Sequence, residues 1–401
     1  FVNHIDPVKI GFQPKILKTE GRPNFRLEVF LKLYLYGYLN GVRSSRRLEK
    51  ECFRNIEVQW LLEAIYPNYH SIADFRKDNP KALKQLFKLF VSFLKDAELI
   101  AGDTIAIDGT KSRAHNSKKA NYNQKKIDKH KAYIDAKSQE YLDQLEQNDI
   151  QENPVVIKNI QQKIEGLKQN KIKYELLEEE LKNSGEPQIS TTDADARALL
   201  VQGQVVEVSY NIQAAVDSKH NLVVATHTIN RNDKNALAAI ALEVKENLAL
   251  ETFTVLVDKG YHNGRELHTC KQNNITTIVA VPEQGKSNEN GTQPEYLVSK
   301  FIYNKENNSY TCPEGKTLTT TGSWHKKTGR TEESGYNFQK YRTPACKTCL
   351  VKGLCTSRNG GREIDRSQYA DAVEENHQRY KDNPQLYRKR QEINEHIFGT
   401  I

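Results

Sequence analysis

The chain has 401 residues, enough for two or three domains, and 59 Lys+Arg against 51 Asp+Glu give it a formal net charge of +8. That moderate basic excess is compatible with a nucleic-acid partner without requiring one. No apolar run approaches the roughly 20 residues of a membrane span, and the start shows no signal-peptide pattern, so a cytoplasmic protein is favoured.

In chain order, residues 24–98 read as a helical block. "NFRLEVFLKLYLYGYLNG" (24–41) is a strongly apolar helix closed by Gly41, and "SSRRLEKECF" (44–53) opens with serines suited to an N-cap. In "KALKQLFKLFVSFLKDAEL" (81–99), Leu83, Leu86, Phe87, Phe90, Val91 and Leu94 share one helical face. The period then changes: "DTIAIDGT" (103–110) alternates and ends in Asp-Gly, a short strand entering a turn. From Lys111 to about Ser190 two amphipathic stretches flank "QNDIQENP" (147–154), which predicts a long antiparallel helical hairpin with a solvated, lysine-rich face. Ile127, Tyr133, Ile134, Tyr141, Leu142 and Leu145 mark its first helix, and Ile157, Ile160, Ile164, Leu167, Leu176, Leu177 and Leu181 its second.

Strand signals return at "VVEVSYNIQAAVD" (205–217) and "LVVATHTI" (222–229), an apparent β-hairpin across "SKHN". A helix over 232–250 follows, with Asn232 or Asp233 as its N-cap. "FTVLVD" (253–258) is a near-continuous apolar strand of the kind found in a covered sheet. A helix (263–274), a strand (275–281), a polar cysteine-bearing stretch (285–370) and a last helix (383–401), with Asn383 and Pro384 at its start, complete the order. The sequence begins at Phe1, contains no Met and stops at Ile401 directly after a helix-like pattern, so a fragment or altered version of a longer chain is expected.

Asp108 closes the first strand, Asp258 the central one, and Glu395 sits on the last helix in "INEHIFG". Carboxylates at neighbouring strand exits, with a third on a helix packed across them, can surround one or two hard cations. Two such ions can clamp an in-line displacement at phosphorus. Taken singly, each of the three is better read as an ordinary turn, cap or surface residue.

"IAIDGTKSRAH", "SYNIQAAVD", "VLVDKGYHNGREL" and "RKRQEINEHIFGTI", in that order, resemble the core of bacterial insertion-sequence transposases of the DDE class. "GRPNFRLEVFLKLYLYGYLNGVRSSRRLEKEC" and "SIADFRKD" resemble the helical domain that precedes that core. The resemblance implies an all-α, DNA-binding N-terminal domain (1–100) and an α/β catalytic domain (101–401). The latter is an RNase H-like mixed sheet interrupted by a helical hairpin insert (111–190) and a cysteine-rich insert (285–370). It also implies two Mg²⁺ or Mn²⁺ ions held by Asp108, Asp258 and Glu395. Glu392 lies one helical turn away, but Glu395 is the residue just before the His396-x-Phe398-Gly399 stretch, where the family has its glutamate. A lysine usual in the family just beyond Phe-Gly is not reached in this sequence.

Cys346, Cys349 and Cys355 form C-x2-C-x5-C, and Cys312 stands earlier in "YTCPEGKTL". With no secretory context, four thiolates flanked by turn residues suit tetrahedral Zn²⁺ better than disulfides, as the family's cysteine-rich insert also implies. His325 is a possible substitute ligand, while Cys52 and Cys270 read as core residues. Arg379, Lys381, Arg388, Lys389 and Arg390 lie upstream of Glu395, where phosphate contacts would hold a DNA end, and they read equally well as a solvated helix face. Arg43, Arg46, Arg47 and Lys259 could serve DNA or be ordinary solvated side chains.

The resemblance therefore implies strand cleavage at element ends and transfer into target DNA, by a homodimer bound to the terminal inverted repeats and the target. The implied setting is the bacterial nucleoid. The rival reading is a transposase-derived DNA-binding protein without nuclease activity. A weaker one is a structure-specific nuclease indifferent to end sequence.

Overall fold

The computed structural model of the protein describes residues 2–12, 25–114, 117–149, 154–201, 205–282, 292–328 and 335–399. Two compact units divide the chain: residues 1–102 with 247–249, and residues 103–246 with 250–401.

The first unit is helical. Its helices are α1 (Leu27–Leu39), α2 (Ser45–Arg54), α3 (Ile56–Leu61), α4 (Tyr69–Asp78) and α5 (Pro80–Asp96). The sequence predicts α1, α2 and α5. α3 and α4 are short helices started by side-chain caps, Asn55 accepting from the N–H of Glu57 and Asn68 from that of Ser71. Gly41 closes α1 at φ +68°, where a side chain would be strained. The core is built from Leu31, Leu33, Leu48, Val58 and Ile72, with Phe75 stacked between Phe12 and Phe30.

The second unit is α/β. β1 (Thr104–Arg113) is followed by β2 (Asn121–Tyr122), α6 (Gln124–Asp149), α7 (Pro154–Ser184), β3 (Ile189–Ser190) and β4 (Arg197–Val201). α6 and α7 form the predicted hairpin, and β2 pairs with β3 at its root, tying the two ends together. Ile127, Ile134, Ile160, Ile164, Leu177 and Leu181 are buried between or beside the helices. Tyr133, Leu142 and Leu176 are exposed instead, because two helices meeting along one stripe cannot cover so broad an apolar face.

β5 (Val205–Asp217), β6 (Val223–Ile229), α8 (Leu237–Asn247), β7 (Phe253–Val257), α9 (Gly264–Gln272) and β8 (Ile275–Val279) follow the expected order. The main sheet runs β4-β5-β1-β7-β8, and β6 also pairs with β5. β1 is antiparallel to β5 and parallel to β7, which is parallel to β8. β7 reads as a covered strand because Phe253, Val255, Leu256 and Val257 are all buried.

After the sheet come two three-stranded sheets of short strands. One has β9 (Ile302–Asn304), β10 (Ser309–Thr311) and β11 (Thr317–Thr319); the other has β12 (Trp324–Lys327), β13 (Tyr336–Tyr341) and β14 (Ile364–Ser367), with α10 (Lys352–Cys355) before β14. α11 (Ala370–Asp382), which the sequence reading did not predict, lies along edge strand β8. There Asn376, fully buried, donates to the Val279 carbonyl and accepts from its N–H, both at 2.9 Å, and so closes an otherwise open strand edge. α12 (Pro384–Phe398) starts on Pro384 and packs across β1, β5 and β7. Its Leu386, Tyr387, Ile393 and Ile397 meet Ala106, Ala214, Val216 and Leu256.

Candidate active site

The parallel register of β1 and β7 places two carboxylates at one level. Ala106 pairs with Leu256 as the last rung, and Asp108 and Asp258 each stand two residues beyond it. Their carboxylates are held by local main chain: Gly109 N–H donates to Asp108 Oδ1 at 2.8 Å and Gly260 N–H to Asp258 Oδ1 at 2.7 Å. Asp258 thus does cap the short turn after β7, and the capping bond itself fixes the direction of the carboxylate.

Asp108 faces α12, where Arg390 Nη1 donates to its Oδ2 at 3.2 Å. Burial pushes the Asp108 carboxyl above the usual aspartate range; the Gly109 N–H and the Arg390 guanidinium pull it down, and Asp258 and Asp233 push it up again. A carboxylate that pays for burial in this way gains most from a cation brought to it. Tyr387, half-buried one turn before Arg390, lies close enough to feel the Asp258 charge.

Behind β1 lies a group of polar residues that sequence reasoning missed. Gly109 pairs with Gln213 and Lys111 with Asn211 across the β1–β5 ladder, on the sheet face opposite Asp108. Asp233 reaches this face from the turn after β6. Its Oδ1 accepts from Asn211 Nδ2 at 2.8 Å and Gln213 Nε2 at 2.9 Å, and its Oδ2 pairs with Lys111 Nζ at 3.4 Å. Tyr261, fully buried, donates its hydroxyl to Gln213 Oε1. Burial first, then the charges of Asp233, Asp108 and Asp258, push this phenol well above its ordinary pKa, so it stays protonated as a donor. The predicted capping role of Asp233 is therefore replaced: α8 begins only at Leu237, and the carboxylate is spent on the sheet. The signal was present in "SYNIQAAVD", where Ser209, Asn211 and Gln213 interrupt an apolar strand at every second position.

Glu395 is exposed on α12, as is Glu392. Five residues separate Glu395 from Arg390, about 7.5 Å along the axis and about 140° around it. Among the described residues no group of three or more His, Cys, Asp or Glu side chains is disposed to hold a metal ion. The structure thus brings Asp108 and Asp258 together and leaves Glu395 on the outer side of the helix.

Cys312, Cys346, Cys349 and Cys355 line one cavity of about 30 Å³, with Phe301 and Arg362. All four are free thiols, and the Lys316 N–H already points at Cys312 Sγ from 3.3 Å. Burial pushes the Cys355 thiol up, Arg362 opposes this, and the other three sulfurs add to it. Gly361, at φ +91°, passes so close to Cys346 that any Cβ there would overlap it. His325 lies on β12, beside Phe338, and is not among the residues lining the cavity. Cys52 and Cys270 are buried, and their thiols are pushed up to about 11 and about 12, as inert core residues should be.

Of the basic residues, Lys259, next to Asp258, and Arg388, on α12, are exposed, while Arg390 is mostly buried against Asp108. In the helical unit Arg43 and Arg46 are exposed, and Arg46 lies over the Tyr69 ring at 5.1 Å.

A family described as a transposase domain (DUF772) matches residues 5–78, and one described as a transposase DDE domain matches residues 311–401. Both matches support an insertion-sequence DDE transposase. The second match spans the four cysteines, Arg390 and Glu395; Asp108, Asp233 and Asp258 lie between the two matched segments. No curated protein and no solved structure matches the chain. A transposase DDE domain implies DNA as the partner and a nuclease or transposase activity. No helix among the described residues is long and apolar enough to cross a membrane.

Proposed function

We propose that the transposase cuts one strand at each element end by hydrolysis and joins the freed 3′-hydroxyl to target DNA by transesterification. The observation carrying this reading is the shared level of Asp108, inside β1, and Asp258, just past the end of β7, on two adjacent parallel strands. A central first strand, antiparallel to β5 on one side and parallel to β7 on the other, supports an RNase H-like core.

Asp108 and Asp258, with Glu395 as the third ligand that the family resemblance implies although it stands exposed on α12 here, would hold two Mg²⁺ or Mn²⁺ ions, which when bound supply nucleophile activation and neutralise charge at phosphorus. The oxygen-only donor set and the unfavourable burial of Asp108 fit such hard cations. The chain's own groups do the rest. Gly109 and Gly260 N–H groups keep the two aspartates from rotating, and Arg390 offsets the Asp108 charge until DNA arrives. Arg388, Arg390 and Lys259 would then contact phosphates, and Arg43 and Arg46 of the helical unit are separate candidates for DNA contact.

Structural Zn²⁺ in the four-cysteine cavity belongs to the same proposal, because the four thiols line one small cavity. So do residence in the bacterial cytoplasm on the nucleoid and a homodimer, since a working complex must hold two element ends.

Asp258→Asn tests the reading. Nicking of an end-sequence duplex with Mn²⁺ should be abolished while binding to that duplex is unchanged; nicking by the variant would sink the assignment. Glu395→Gln should behave like Asp258→Asn and Glu392→Gln like the unaltered chain. Binding without any nicking by the unaltered chain would instead identify a transposase-derived DNA-binding protein.

A further inference from the structure

We infer that Asp233 is a positioning residue for the aspartate pair: it fixes Gln213 and, through Gln213, the turn that carries Asp258. The inference rests on the transposase reading above and concerns a residue outside its metal-holding triad.

The geometry closes a chain of oriented groups. Gln213 is fully buried, so both ends of its amide need partners. Tyr261 donates its hydroxyl to Oε1, which leaves Nε2 to donate, and Asp233 Oδ1 receives it at 2.9 Å. The same oxygen accepts from Asn211 Nδ2 at 2.8 Å, which leaves the buried Asn211 Oδ1 without a partner beside Gly109. Asp233 is therefore the acceptor for the Gln213 amide, and it shares the Asn211 amide with the Arg231 carbonyl at 3.0 Å. Tyr261 is only three residues beyond Asp258 and sits in the same short turn, its N–H bonded to the Asp258 carbonyl. The turns holding Asp233 and Tyr261 pack on each other.

Two glycines make room for this arrangement. A Cβ on Gly109 would stand 2.8 Å from Asn211 Oδ1 and 2.9 Å from Asp233 Oδ1, and would overlap Gln213 Nε2. A Cβ on Gly260 would stand 2.9 Å from Asp258 Oδ1 and 3.6 Å from Asp233 Oδ2. One carboxylate thus fits behind β1 at Gly109 and against the Asp258 turn at Gly260, where any side chain would push the pieces apart.

Asp233 is a poor direct ligand, because Oδ1 already takes two hydrogen bonds and Oδ2 faces Lys111 at 3.4 Å. Nor does it serve stability alone. A third negative charge near Asp108 and Asp258 is unfavourable by itself and is offset by Lys111, while an apolar side chain would leave the buried Gln213 amide without its acceptor. What the charge provides is a strong, directed acceptor for two amides, one of which holds the Asp258 turn.

The test compares Asp233→Asn, Tyr261→Phe and, as a control, Asp258→Asn. In the metal-free protein, hydrogen exchange of the amides at 259–262 should be faster in Asp233→Asn than in the unaltered chain. Its melting temperature should stay close to the unaltered value. Nicking should require about 10- to 100-fold more Mn²⁺ for half-maximal rate, the usual consequence of removing a group that orients a ligand. If Asp233→Asn does not fold, Tyr261→Phe removes the other end of the chain of hydrogen bonds, and the same faster exchange and higher Mn²⁺ requirement are expected. Unchanged exchange and unchanged Mn²⁺ dependence in a folded variant would overturn the inference. Active Asp258→Asn would instead overturn the transposase mechanism, leaving the exchange result to decide the role of Asp233 separately.

Discussion

The aspartate rim and the cysteine cavity are both gathered ligand sets, yet they are held by opposite means. Asp108 and Asp258 hang on a parallel pair inside the main sheet, each clasped by a backbone N–H within two residues. The cysteines come from loops and one short helix around strands of only three to six residues. The rim is therefore set by the sheet's own hydrogen bonds and hydrophobic core, with or without an ion. The cysteine region buries little beyond Phe301, Tyr310, Leu318, Tyr341 and Ile364, so a bound ion would supply much of its stability.

The largest expected effect breaks that comparison at its weaker side. Cys346→Ser with Cys349→Ser should take zinc content from about one per chain to none, and metal-site free energies on the order of 10 kcal/mol imply local unfolding. Limited proteolysis should then cut within 292–367 while fragments carrying the main sheet survive. Full zinc content or unchanged proteolysis in the double variant would show that the cavity is an ordinary small core.

The difference between the two regions also explains what could be read in the sequence. Every strand of the main sheet except β4 was legible, because covered strands spell continuous or alternating apolar residues such as "FTVLV". Asp258 was legible as a residue at a strand exit, whereas Asp108, expected to close the first strand, lies inside β1, which pairs with β5 as far as Arg113; the common level of the two needed the register Ala106–Leu256. Asp233 was misread as a cap because Asn-Asp before an apolar helix is a strong local signal, and the competing hydrogen bonds come from strand residues about 20 positions earlier. α11 was missed because its buried polar residue, Asn376, serves an edge strand rather than an apolar stripe. Glu395 was chosen by resemblance, and helical spacing alone puts the buried side of α12 at Tyr387, Arg390, Ile393 and Ile397, away from it.

An intermediate effect sharpens the stronger side. Ile393 is buried where α12 crosses β1 and β7, against Ala106 and Leu256. Ile393→Ala should cost about 2–5 kcal/mol in stability through lost contacts and an unfilled cavity. Denaturant titration monitored at the sheet would read it. If the rim depends on the sheet rather than on α12, this variant should still show slow amide exchange at Gly109 and Gly260. Faster exchange there would mean that the helix, with Arg390, also holds the aspartates in place.

The smallest effect asks whether the rim is strained in the absence of an ion. Burial holds the Asp108 carboxyl above its unfolded value, so the folded chain binds that proton more readily than the unfolded chain does. The resulting stability is present at low pH and lost as pH rises through the folded-state pKa. Asp108→Asn keeps the shape and removes the charge. Without divalent ions it should melt slightly higher than the unaltered chain near neutral pH, and the gain should disappear below the usual aspartate pKa of about 3.9. Mn²⁺ should then raise the melting temperature of the unaltered chain but not of the variant. A lower neutral-pH melting temperature for Asp108→Asn would mean that the Arg390 pairing outweighs burial. The ion-free rim would then be a stable ion pair that a metal must compete with, rather than a costly carboxylate that a metal relieves.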